Sequence, residues 1–329
     1  MKKRSLFKFS SQAVRKFVTD NTGLLLVLLS QVFISMMNAA VKQLSTIDPP
    51  VSALQVRIGI TYGCSLVCMI ATGVEDPILG PKGVRMILVF RGISGFLGLF
   101  GVYFSLQYLS LSDATVLTFI TPLCTTAAGA IFLKESFRLS QALAGVVSLV
   151  GVVLIARPPF LFTGNSISTD APIPPIPALD SFSDEESAGM RLIAVGIALV
   201  GVLGTTSAYV IICAIGKRAH TLHIMGSYAS QSVIVTALGM VITKTPFVVP
   251  SRLEWFSLLL MVGIFGFVSQ VLLIMGLQRE AAGRASMAVY TQIVFATIFQ
   301  WIIFHTYPSR LSILGTVLIL SSALYVAVS

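Results

Sequence analysis

The sequence predicts an all-α integral membrane protein with ten transmembrane helices, built as two inverted five-helix repeats. Three observations predict it. Hydrophobic residues fill 55% of 329 positions, charged residues only 11%, and the mean hydropathy is +0.91. Soluble domains carry about 25% charged residues. The apolar runs are continuous and last about 18–25 residues, the length a helix needs to cross about 30 Å of hydrocarbon. They do not alternate as the strands of a barrel would. Finally, the chain matches itself when shifted by 171 residues.

The elements follow in order. Residues 1–21 are basic, with no acid before Asp20. A full-length span follows with no small-residue cleavage site, so they read as a cytosolic segment drawn to anionic lipid rather than a leader. The first span, 22–43, carries Gln31, Ser35, Asn38 and Lys42 on one helical face, which should point into the bundle. The second, 51–72, holds Gln55, Arg57 and Tyr62, with Arg57 about 10 Å inside at about 1.5 Å per residue. The third, 86–109, holds Arg91, Tyr103 and a glycine at every third position from Gly92 to Gly101. The fourth, 113–133, contains Pro122, which removes a helix hydrogen bond and predicts a kink near Thr118, Thr121 and Thr125. The fifth, 140–157, closes a first unit over 22–157.

Residues 158–190 are rich in Pro, Ser and acid, the composition of a disordered linker. The second unit, 191–329, holds spans at 192–216, 223–243, 254–277, 285–305 and 310–328. Tyr228 and Gln231 lie in its second span, Gln270 in its third, and Tyr290 and Gln292 in its fourth. Within the 171-residue register, Gly92, Ile93, Gly95, Phe96, Leu106, Gln107 and Ala114 meet identical residues; Gly145 meets Gly315 at 170. Five spans is an odd number, so the second unit must enter the membrane from the opposite side. Inverted repeats are the recurring build of secondary transporters, with the site near the midplane between the halves.

Charge orients the chain. With the N-terminus in the cytosol, the inner segments hold fifteen Lys and Arg and the outer ones six, which the positive-inside rule favours, with both termini cytosolic. The +9 net charge is thus a matter of topology and lipid, with no nucleic-acid partner implied. The turn "IFLKESFRLS" (131–140) falls inside and keeps Lys134 and Glu135. Its counterpart "IIFHTYPSRLS" (302–312) falls outside and has His305 and Thr306 instead.

The stretch "DATVLTFITPLCTTAAGAIFLKESFRLSQALAGVVSLVGVVLI" (113–155) resembles the EamA-type repeat of the drug/metabolite transporter superfamily. Pro122, Leu133–Glu135, Gly145 and Gly151 match its pattern, and "RGISGFLGLF" (91–100) resembles its third helix. The second copy departs, with Ile293 in place of the proline and Thr306 in place of the acid. The resemblance covers most of residues 24–328. It implies a carrier related to exporters of small metabolites and to carriers of nucleotide sugars or sugar phosphates.

The residues narrow the chemistry. No acid falls deep in a span, which argues against carboxylate-based proton coupling. No buried carboxylate pair or Ser–His–Asp set supports an enzyme. Cys64, Cys68, Cys124 and Cys213 all lie in spans as small hydrophobes, and His220, His223 and His305 lie at loop edges, so neither a metal nor a cofactor is expected. Arg57 and Arg91 are costly in a bilayer unless they pair, snorkel or meet a ligand. With no buried acid available, an anionic solute suits the guanidinium fork. The residues read as substrate-binding are Arg57, Arg91, Gln31, Asn38, Lys42, Gln55, Tyr103, Tyr228, Gln270, Tyr290 and Gln292. The expected function is movement of a small polar or anionic organic solute by alternating access, as exchange or uniport. The rivals are an exporter of amino acids or drug-like metabolites, and a non-transporting scaffold or sensor that keeps the fold. The oligomeric state stays open, with a homodimer among the options.

Overall fold

A computed structural model describes residues 19, 21–44, 53–74, 76, 80–136, 138–158, 184–243, 253–305 and 309–328. Within these, the side chains of 53–58, 184–189, 239–243, 253–255, 304 and 328 lie outside the description. The linker expected at 158–190 falls largely outside the described residues. Among the described residues every regular element is helical. The first half contains α1 (Thr22–Leu44), α2 (Ala53–Ala71), α3 (Arg85–Tyr108), α4 (Leu111–Thr118), α5 (Thr121–Phe132) and α6 (Leu139–Ala156). The second contains α7 (Asp184–Ile215), α8 (Thr221–Thr243), α9 (Leu253–Leu277), α10 (Ala282–Met287), α11 (Thr291–Phe304) and α12 (Arg310–Val328). Short 3-10 turns follow α7 at Gly216–Arg218 and α10 at Ala288–Tyr290.

The helix boundaries repeat. Leu44 and Ile215 end α1 and α7, Leu111 and Ala282 begin α4 and α10, and Leu139 and Arg310 begin α6 and α12. Each pair lies 171 residues apart. Other bounds differ from this spacing by a residue or more, as at Thr121 and Thr291, which begin α5 and α11 170 apart. Gly315 meets Gly151 where α6 and α12 pack together. Eight helices, or consecutive helix pairs, are long and apolar enough to cross a membrane. They include α4 with α5 and α10 with α11, each pair forming one interrupted span. Of the two other expected spans, α2 qualifies only as a shorter apolar helix over Gly59–Ala71 and α8 is not among the eight; each has side chains outside the description.

The interruption has a different cause from the one its sequence suggests. Pro122 sits in the first turn of α5, where its missing N–H costs nothing. The second half breaks at the same register, through the Ala288–Tyr290 turn, with no proline nearby. The break therefore belongs to the fold, and Pro122 only fits it. The next turn is also shared: Lys134 and His305, again counterparts, both adopt left-handed backbone with φ of 56° and 52°.

The two most extensive helix contacts between halves are α3 with α7 and α1 with α9. They are the same pair counted from either half. Apolar helices gain nothing from leaving lipid, so close approach of backbones must hold them. At the α3–α7 crossing Gly101 faces Gly201, and a Cβ on Gly101 would fall 2.5 Å from the Gly201 Cα. At the α1–α9 crossing a Cβ on Gly276 would fall 2.5 Å from Val27 and 2.8 Å from the Gly23 carbonyl.

Gly101→Ala should therefore destabilise the protein by about 1–3 kcal/mol, because the obstacle is backbone and cannot rotate away. Gly196→Ala, on the same α7, meets nothing within 4 Å and should hold or raise stability, by up to about 1 kcal/mol of helix propensity. Thermal unfolding of the two purified variants checks both; equal unfolding temperatures would contradict the backbone-contact argument.

Candidate functional site

The two ends of the bundle differ. The end carrying the starts of α1 and α8 and the last turn of α12 is closed. Its apolar cluster joins Leu24 and Val27 of α1, Leu88 of α3, Ile212 and Ile215 of α7, Ile224 and Met225 of α8, Leu273, Ile274 and Leu277 of α9, and Ala285 of α10. Polar bonds reinforce it. Arg284 donates to Asn21, to Glu280 and to the carbonyls of Val326 and Ala327. Ser65 of α2 donates to the Leu222 carbonyl of α8 at 3.4 Å. Glu135 accepts from the Ala282 and Gly283 amides at 2.8 and 3.4 Å.

At the opposite end the described residues of the interrupted spans pack less closely. The near halves, α5 and α10, pack closely through Thr126, Gly129 and Gly283. Their far-end counterparts, α11 and α4, make no comparable contact. The polar face of α1 follows the same gradient. Gln31 and Ser35 are 2% and 1% exposed, whereas Asn38 and Lys42, one and two turns on, are exposed.

Between the two ends lie the breaks. Phe119 and Tyr290 are counterparts, and their rings stack on each other at 5.9 Å between centroids. Tyr290 is fully buried beside Met287, Val294 and Ile319, and its hydroxyl has no hydrogen-bond partner. The Ser35 hydroxyl of α1 donates to the Gln292 carbonyl in the first turn of α11 at 3.0 Å. Gln31 is used up locally, donating to the Val27 carbonyl and the Ser30 hydroxyl at 3.2 and 2.7 Å.

Arg91 lies in the closed half, on α3 against α8. It is 4% exposed, and its Nε and Nη1 have no hydrogen-bond partner. The guanidinium sits 5.1 Å from the centre of the Tyr228 ring. Gly95, one turn on, leaves it room, because a Cβ there would strike Nη1. Tyr209 of α7 comes within electrostatic reach, and Gln231 packs on Gly92 just below. No carboxylate pairs with Arg91 among the described residues.

The structure thus joins Arg91 to Tyr228 and Ser35 to the backbone of Gln292. It leaves Tyr103 apart, 39% exposed on α3, and Gln270 half-buried on α9. Gln55 and Arg57 fall in the first turns of α2, where side chains lie outside the description. Sequence reasoning missed the stacking of Phe119, the place of Tyr209, and Asp113, which is 6% exposed with a buried, unpartnered Oδ1. The 171-residue register could have found the first, since it maps Phe119 onto Tyr290.

Comparison with known proteins gives a consistent picture. The profile described as EamA-like transporter family matches residues 21–157 and 192–328. The chain is similar to a probable transport protein of Saccharomyces cerevisiae, 38% identical over 324 residues, covering 95% of this chain and 90% of that protein. It is also similar to the pseudopaline exporter CntI of Pseudomonas aeruginosa, 27% identical, covering 91% of this chain and 93% of that one. A solved crystal structure shares the fold, with a TM-score of 0.72, 16% identity, and coverage of 94% and 96% of the two chains.

The unpartnered Tyr290 hydroxyl makes a sharp prediction. A buried polar group without a partner costs about 1–3 kcal/mol. Tyr290→Phe should keep the stack on Phe119 and raise the unfolding temperature. A lowered temperature would show that the hydroxyl is bonded in the membrane-embedded protein.

Proposed function

The chain belongs to the EamA-like transporter family of membrane transporters, and from that premise we propose that it carries a small polar or anionic organic solute by alternating access, as an exchanger or uniporter. Arg91 is the observation that carries the proposal. A guanidinium removed from water loses several kcal/mol of hydration unless something replaces it. The Tyr228 ring supplies roughly 0.5–2 kcal/mol. Two donors stay unmet, and no acid is at hand among the described residues. A carboxylate or phosphate of the solute would complete the fork.

In this proposal the bundle is caught with its linker end open. Solute enters past Asn38 and Lys42 toward the interrupted spans, where helix breaks conventionally hold substrate. Arg91 lies deeper, covered by Tyr228, and is uncovered when the other end opens. Arg57 is the register counterpart of Tyr228, which makes it a second cation for the same solute. The proposal keeps ten spans, repeats over 22–157 and 191–329, and both termini in the cytosol. Export is the second reading. It is favoured by the similarity to a protein named as an exporter.

Flux in liposomes separates these from a scaffold. The purified chain should move at least one anionic or polar solute from a broad panel with saturable kinetics; no flux at all would support the scaffold. Arg91→Met keeps length and apolar packing but removes the charge. It should fold normally and lose about tenfold to a hundredfold in apparent affinity, the equivalent of about 1.5–3 kcal/mol. Arg91→Lys should recover part of that, because it restores charge without the planar fork. Arg57→Ala should show a similar loss. Normal transport by Arg91→Met would remove the anion argument.

A further inference from the structure

We infer that Glu135 is a one-sided latch: its carboxylate holds the terminus-side gate shut by capping the interrupted helix of the opposite repeat. The argument starts from the register. Ser110 precedes α4, and its hydroxyl caps that helix locally, accepting from the Asp113 amide at 3.1 Å. The counterpart of Ser110 is Ala281, which precedes α10 and offers no capping side chain. The first amides of α10 would be left open at the end of a membrane span, where helix N-terminal N–H groups need a partner. Glu135 supplies it from the other repeat. Oε1 accepts from Ala282 and Oε2 from Gly283. A negative charge at a helix start also meets the positive end of its dipole.

The surroundings fit a latch. The left-handed residue Lys134 turns the chain so that Glu135 reaches back over α5. Gly129 leaves room for it, since a Cβ there would lie 3.0 Å from Oε2 and 3.2 Å from the Ala282 Cβ. A cavity of about 220 Å³ with Arg138, Glu280 and Arg284 on its walls lies alongside, so water can replace the bonds when they part. The latch is one-sided by sequence. The counterpart of Glu135 is Thr306, which has no carboxylate, and α4 caps itself. The contacts agree: α5 and α10 are packed, while α4 and α11 make no comparable contact among the described residues. The latch therefore biases the unloaded protein toward closure on the terminus side. The retained Lys–Glu pair in the first turn then has a cause beyond charge sorting by side. Glu135 has a partner of its own, because a helix of the other repeat begins against it.

The test uses a native reporter. Cys213 of α7 packs on the terminus-side cluster within electrostatic reach of Glu135. With Cys64, Cys68 and Cys124 replaced by Ala, labelling of Cys213 by a charged, water-soluble methanethiosulfonate reads the gate without any solute. Glu135→Ala should speed labelling about tenfold or more, tenfold being the equivalent of about 1.4 kcal/mol. Gly129→Ala, which keeps the charge but crowds Oε2, should speed it in the same direction. Adding Ala281→Ser to Glu135→Ala restores a local cap like that of Ser110. It should recover thermal stability while labelling stays fast. If labelling is unchanged in both single variants, or if Ala281→Ser slows it to the starting rate, Glu135 is a structural cap and the latch is overturned. The consequence for transport rests on the carrier reading, but the labelling does not. Saturable flux with unchanged labelling removes the latch alone. Faster labelling in a chain that moves no solute removes the carrier alone.

Discussion

Every polar backbone group inside the bilayer must find its partner within the protein, and this chain deliberately breaks two helices there. That constraint organises the rest. Local bonds carry the backbone across each break: Phe119 and Ile120 donate to the Thr115 and Leu117 carbonyls, and Thr291 donates to those of Ala288 and Val289. Other polar groups beside the breaks and at the span ends bond across the repeats. The Ser35 hydroxyl meets the Gln292 carbonyl, Glu135 meets the first amides of α10, and Ser286 reaches the Pro122 carbonyl at 3.2 Å. All three bonds cross from one repeat to the other. These bonds tie the repeats together beside the breaks and at the span ends, and relative motion of the repeats must exchange their partners. A structure held this way has discrete arrangements rather than a continuum, the condition for a two-state gate.

The glycine crossings supply the complementary part. Gly101 on Gly201, and Gly276 on Val27 and Gly23, bring backbones into direct contact without interlocking side chains. Such faces hold firmly yet present no large knob that a shift must lift out. The repeat makes the two crossings equivalent, so a motion that opens one end has an equivalent that opens the other. What breaks the equivalence is chemistry at single positions. Ser110 against Ala281, Glu135 against Thr306 and Asp113 against Arg284 are register counterparts with different roles. Arg284 gathers Asn21 and the end of α12, while Asp113 keeps an unpartnered oxygen.

Much of this was legible in the sequence. Hydropathy marks the membrane class, and a single offset relates the helices of the two halves. Arg91 stands out because an intramembrane cation is expensive wherever it lies. What the sequence hid is long-range pairing. Pro122 pointed to the interrupted span but misled about its cause, since the second repeat breaks without a proline. Tyr290 looked like a cavity residue, yet the register places its twin Phe119 against it and buries both. Glu135 looked like a turn charge because its partner is a backbone amide 147 positions away. Backbone donors carry no residue-specific signature, so no pattern of side chains announces them.

The most direct test is a pair of distances measured by pulsed electron resonance on doubly spin-labelled protein in liposomes. One pair, Leu111 with His305, spans the linker-side ends of the interrupted spans; the other, Ser136 with Arg279, spans their opposite ends. An alternating carrier gives a long first distance and a short second one without solute. A transported solute then adds a population in which the first shortens and the second lengthens together. One unchanging distribution for both pairs, under every solute that supports flux, would contradict alternating access in this protein.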